Sequence, residues 1–172
     1  MRKNVKKQLA LRVLSTAVLM AMVSSIATAA FAEEYNLNTG SVTVETKDDG
    51  ITYVTQANTE TTNHPDTTGV TITSNGEQTS NTITVETAKD QTTNVTLENV
   101  HIETKSSWND SGSAPIEIKG KGDTNLELNG NNIVLSGNKN HAGIEKADVN
   151  GTGTLTIKDD VNDDGKLLAG GY

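Results

Sequence analysis

The chain has 172 residues and no cysteine, two prolines, one Phe, one Trp and three Tyr. Without cysteine there are no disulfides, no thiolate chemistry and no lipid-modified cysteine. Arginine stops at Arg12. From residue 33 onward nine Lys face 22 Asp and Glu, so the last 140 positions carry −13. That stretch lacks the basic surface that nucleic-acid binding needs and the bidentate fork used for planar carboxylate or phosphate recognition. Large aliphatic side chains are also scarce. Leu, Ile, Val and Phe make up 27 of those 140 residues. With this net charge the composition approaches that of disordered chains, so pattern must decide whether the chain folds. The length fits one domain.

Residues 1–32 read as an address. Arg2, Lys3, Lys6, Lys7 and Arg12 form a basic start, a mostly apolar run follows from Val13 to Ala30, and Ala30-Phe31-Ala32 gives a small-x-small cleavage pattern before Glu33 and Glu34. This is the layout of a secretory signal peptide. The run is also long enough for a membrane anchor, but its Ser and Thr content and its ending favour cleavage. No second apolar span follows. Export to the medium or the cell surface is the expectation. The ending Ala169-Gly170-Gly171-Tyr172 falls in mid-pattern, as in a fragment of a longer protein.

The remaining chain is rich in Thr (24) and Asn (17). Short alternations recur: Val42-Thr43-Val44, Val70-Thr71-Ile72, Ile83-Thr84-Val85, Val95-Thr96-Leu97, Ile116-Glu117-Ile118, Leu126-Glu127-Leu128 and Leu155-Thr156-Ile157. Each sets two apolar side chains on one face and a polar one on the other, between Asn, Gly and Asp breakers, and so predicts strands. The alternations also repeat. Ile83, Ile116 and Ile144 align, as do Val95, Leu126 and Leu155, and Ile102, Ile133 and Leu167. Three short strands about every 30 residues suggest a solenoid whose stacked turns bury one aliphatic column. Residues 33–80 read as an irregular N-terminal turn or cap with a loop at 57–68, and residues 81–172 as the repeats.

The phrases from Asn94 to Ile102, Ala114 to Ile118, Asn125 to Gly130, His141 to Glu145 and Gly151 to Ile157 resemble repeats of secreted right-handed parallel β-helix (pectin-lyase-like) surface proteins of Gram-positive bacteria. Those proteins include a carbohydrate-binding family with acidic sugars as ligands and calcium bound. The resemblance covers somewhat under half of the chain. It implies an all-β, right-handed parallel β-helix and a glycan partner. It carries over no ligand residue.

Three features bear on chemistry. Trp108, with Asn109 and Asp110, lies in a polar loop that interrupts the repeat. An aromatic ring for stacking beside hydrogen-bonding side chains suits a sugar; the alternative is a ring that folds back to cover the coil. Asp160, Asn162 and Asp164 before Gly165 match the opening of a calcium loop, but Leu168 and Gly171 stand where later ligands belong, and an acidic turn is the alternative. His64, His101 and His141 read as surface or turn histidines. Glycoside hydrolysis needs two carboxylates held across one bond, and no motif points to such a pair. The expectation is therefore a non-catalytic, extracellular or adhesin-like module that binds polysaccharide, with calcium as the one conceivable cofactor. A structural spacer of a larger surface protein is the first alternative, and a polysaccharide lyase or hydrolase the second.

Overall fold

Alternating β-branched residues between turn formers produce a nearly all-β chain. The computed structural model describes residues 33–56, 62–64, 69–105, 112–147 and 152–171, all within one unit, Ala32–Tyr172. In chain order the strands are β1 (Glu34–Asn36), β2 (Val42–Thr46), β3 (Thr52–Gln56), β4 (Thr62–His64), β5 (Val70–Thr73), β6 (Gln78–Thr79) and β7 (Ile83–Thr87). They continue with β8 (Thr92–Glu98), β9 (His101–Glu103), β10 (Ile116–Gly120), β11 (Asp123–Asn129), β12 (Asn131–Leu135), β13 (Ile144–Lys146), β14 (Leu155–Lys158) and β15 (Lys166–Gly170). One 3-10 turn, Leu37–Thr39, sits between β1 and β2. Among the described residues no helix is long and apolar enough to cross a membrane.

Three sheets form. Sheet I has the order β1-β5-β8-β11-β14, sheet II the order β13-β10-β7-β2-β3-β4, and sheet III the order β15-β12-β9-β6. All pairings are parallel except β2 with β3 and β3 with β4. The chain visits sheet I, then III, then II, and repeats that circuit. Sequence repeats therefore become lateral neighbours: Ile116 lies between Ile83 and Ile144, and Leu126 beside Val95. Residues 33–80 feed the same sheets. β1 and β5 enter sheet I, β2 enters sheet II in parallel with β7, and β6 enters sheet III. Within the stretch 57–68, expected to be loop, β4 pairs with β3.

Two alignments differ from the repeat read in the sequence. Ile157, not Leu155, lies beside Leu126, because Leu155 faces Thr124. Val134, not Ile133, lies beside Ile102, and Ala169 beside Val134. The second shift has a local cause. Asn129 pairs with Glu98, 31 positions earlier, but Ile133 pairs with His101, 32 positions earlier, so one extra residue enters the corner. A one-residue slip exchanges the two faces of a strand, so Val134 is buried and Ile133 is not.

The core is a stack of inward pairs. Val70, Val95 and Leu126 adjoin one another along sheet I, and Ile83, Val85, Ile116 and Ile118 do so along sheet II; all are buried. β2, β5, β7, β8, β10 and β11 supply two such residues each and β1, β3, β9 and β12 one each, which is how a chain poor in large hydrophobes makes one core. Threonine fills the corner between sheets II and I. Thr46, Thr87, Thr93 and Thr124 are at most 2% exposed. Their hydroxyls run Thr52–Thr46 (2.9 Å), Thr46–Thr93 (2.6 Å), Thr93–Thr87 (2.7 Å) and Thr87–Thr124 (3.2 Å). At the corner between sheets I and III, Asn75, Asn99, Gly130 and Asp163 have φ of 55°, 50°, 65° and 55°. This left-handed conformation suits Asn, Asp and Gly. At Gly130 a Cβ would also strike the Asn99 side-chain amide.

Candidate functional site

The longest interruption of the repeat leaves sheet III after β9 and enters sheet II at β10. Trp108, Asn109 and Asp110 lie there, outside the described residues; the stems of the loop are described. Thr104 donates its backbone N–H to Leu135 O (3.1 Å), and its own carbonyl accepts the Gly137 N–H (3.1 Å). Asn138, from the next circuit, is 4% exposed. Its Nδ2 donates to Thr104 Oγ1 (3.3 Å) and to Ser113 O (2.9 Å). One buried amide thus ties together both stems of the loop. Gly112 lies against that amide so closely that a Cβ would strike it.

Beside these stems runs an open groove of about 460 Å³ lined by Gln78, Thr79, Ser80, Glu103, Thr104 and Lys105. Glu103 organises it. Gln78 Nε2 donates to Glu103 Oε2 (2.6 Å), and His101 Nε2 lies 3.0 Å from Glu103 Oε1. Parallel register places Gln78, His101, Ile133 and Leu168 side by side on the outer face of sheet III. Leu168 is exposed. The arrangement offers hydroxyl, amide, carboxylate and ammonium groups next to an aliphatic strip. Such a surface can hydrogen-bond sugar hydroxyls while covering an apolar sugar face.

The second expected site is the corner after β14. There Asp160 Oδ2 pairs with Lys158 Nζ (2.8 Å), Asn162 Nδ2 donates to Asn129 Oδ1 (3.4 Å), and Asp164 Oδ1 accepts the Gly130 N–H (3.3 Å). The three side chains take three different partners. Asp159 Oδ2 accepts the Gly165 N–H (2.8 Å). Among the described residues, no group of three or more His, Asp and Glu side chains converges as metal ligands would. Lys158 lies between Asp160 and Glu127, whose Oε2 is 3.3 Å away. Hydrogen bonding to Asp160 and then to Glu127 raises the affinity of its ammonium for the proton.

Glu127 and Asn138 are the residues that reading the sequence missed. In the alternation Leu126-Glu127-Leu128 the carboxylate looks like an outward side chain. It is 8% exposed, because Asp160 and Val161 fold over it and donate their N–H groups to Oε1 at 2.6 and 2.9 Å. Asn138 carried no signal beyond its place in a turn. His141 pairs through Nδ1 with Glu145 Oε2 (2.9 Å), well apart in sequence from the Glu103 groove. The side chain of His64 is outside the described residues. No protein-family model, curated protein sequence or solved structure matches the chain.

Proposed function

We propose that the three sheets are the walls of a right-handed parallel β-helix, and that the chain is a non-catalytic, secreted or cell-surface module that binds carbohydrate. The reading of the fold rests on the repeated circuit through sheets I, III and II with parallel register. The reading of function rests on one observation, the polar groove from Gln78 to Lys105 beside a long loop whose two stems Asn138 holds. A rigid coil that presents one clamped loop is a common arrangement for recognition. Trp108 would supply the stacking ring, Asn109 and Asp110 polar contacts, and Glu103 with Gln78 the hydrogen bonds. An acidic glycan would meet repulsion from the −13 surface, and calcium would have to bridge it. For Asp160, Asn162 and Asp164 to serve that ion, each must leave its present partner.

Affinity electrophoresis of residues 33–172 tests the reading, through gels containing polygalacturonate or a neutral glycan, with calcium or with chelator. Retardation that Trp108→Ala and Glu103→Ala both reduce supports it. Unchanged mobility in every gel favours the second reading, a structural spacer of a larger surface protein. That reading draws on the corner oxygens of residues 159–164, which already serve the backbone and neighbouring side chains. Turnover of either polymer would instead indicate a lyase or hydrolase.

A further inference from the structure

The groove beside the loop stems has a fixed polarity. Thr104 Oγ1 accepts two hydrogen bonds, from the Gly137 N–H (3.2 Å) and from Asn138 Nδ2 (3.3 Å). A hydroxyl has two lone pairs and one proton. Both lone pairs are taken, so Thr104 meets a ligand only as a donor. Lys105, exposed at the same groove, also only donates. Glu103 does the reverse. A carboxylate accepts at about four sites. Gln78 Nε2 fills one of them (2.6 Å), and His101 Nε2 lies at a second (3.0 Å). The Glu103 side chain is 39% exposed, so other accepting sites stay open. The basic side chain within ion-pair distance of Glu103 is His101, not Lys105. Leu135 lies beside Glu103 in the parallel register and is half-buried.

A ligand hydroxyl rotates to serve either role, so this polarity does not select it. The polarity selects a group whose donor and acceptor are fixed. Charged sugars fit badly. A uronate carboxylate meets Glu103 and the −13 surface. A free amino sugar brings its ammonium to Lys105 and gives the Thr104 proton no acceptor. An acetamido group avoids both faults. It is neutral, its N–H donates to Glu103, its carbonyl accepts from Thr104 and Lys105, and its methyl covers Leu135. We infer that the groove is a subsite for N-acetylated sugars, with Glu103 and Thr104 reading the two ends of the acetamido group. The inference rests on the reading of this groove as a carbohydrate site and names its substrate class.

Two neutral, soluble polymers test it, glycol chitin and hydroxyethyl cellulose. They share a β-1,4 glucan backbone and differ in carrying acetamido or hydroxyl at C2. Affinity electrophoresis with chelator is run on residues 33–172 and on the full chain. Glycol chitin should retard the protein, and equal retardation should take about tenfold more hydroxyethyl cellulose, the effect of one hydrogen bond to a charged group. Thr104→Val should raise the glycol chitin needed about tenfold, Thr104→Ser should not, and mobility in hydroxyethyl cellulose should stay unchanged in both. Circular dichroism checks the fold of each variant. Glu103→Gln changes a partly exposed side chain, so it serves if Thr104→Val does not fold, and it should also weaken retardation by glycol chitin alone. Equal retardation by the two polymers, or unchanged retardation of Glu103→Gln, overturns the inference and leaves carbohydrate binding in place. So does retardation by polygalacturonate with calcium and by neither neutral polymer. Unchanged mobility in every gel overturns both the inference and the reading it rests on.

Discussion

The threonine chain at the corner of sheets II and I has a direction, and that direction predicts unequal costs. Each hydroxyl has one proton and two lone pairs. Thr93 Oγ1 donates to Thr46 Oγ1, so its proton is used. The 2.7 Å contact between Thr87 and Thr93 must then carry the Thr87 proton, and the 3.2 Å contact between Thr124 and Thr87 the Thr124 proton. Protons thus run Thr124 to Thr87 to Thr93 to Thr46. Replacing Thr124 by Val removes the first donor and orphans no proton. It loses one hydrogen bond, worth about 1 kcal/mol net. Replacing Thr87 by Val removes two hydrogen bonds and leaves the Thr124 donor buried and unpaired. An orphaned buried donor costs about 1–3 kcal/mol, so with the lost bond to Thr93 the Thr87→Val variant should cost about 2–4 kcal/mol. In the double variant the orphan is gone, and the cost should fall below the sum of the singles by about 1–3 kcal/mol, a coupling that contact between the residues permits. Urea unfolding of residues 33–172, followed by far-ultraviolet circular dichroism, measures all three. Additive costs, or Thr124→Val costing more than Thr87→Val, would refute the directional chain.

Other substitutions test other joints. Asn138→Ala leaves the Thr104 and Ser113 stems untied; it should cost about 1–3 kcal/mol and speed proteolysis at Lys105, and an unchanged cleavage rate would count against the clamp. Glu127→Ala strips the acceptor from the Asp160 and Val161 amides, so their hydrogen exchange should quicken while exchange at Val95 stays unchanged. The Thr154 amide, and after it the Thr154 hydroxyl, hold the Asp123 carboxyl below its ordinary value of 3.8. The folded value is the lower one, so this contribution is present above 3.8 and is lost as pH falls through the folded value. Wild-type exchange at Thr154 should therefore rise toward that of Asp123→Asn under acid, and a gap that persists at the lowest pH would contradict the assignment.

Inward pairs such as Ile83 and Val85 or Ile116 and Ile118 were legible because a strand needs only alternation to declare its faces, and parallel stacking turns that alternation into a repeat. The corners were not legible to the same degree. Their register depends on single insertions, such as the extra residue between Asn129 and Ile133. A polar residue fits inside when a neighbour one circuit away supplies its partner. Asn132 is buried because its Oδ1 accepts the Val100 N–H (3.0 Å), and nothing within its own stretch announces this. The same non-locality holds for the segment from Asp160 to Asp164. Its spacing of oxygens is that of a cation loop, and that spacing cannot reveal that the Gly130 N–H reaches Asp164 and that Asn129 accepts from Asn162, each from more than 30 positions away. Across these parallel sheets a corner residue often finds its partner about 30 positions away, in a segment whose own sequence is equally polar. Alternation therefore identifies what the core excludes from water, while the chemistry of the surface is decided between circuits. That is why the clamp on the loop of Trp108 had to be found in Asn138, a residue of a different turn.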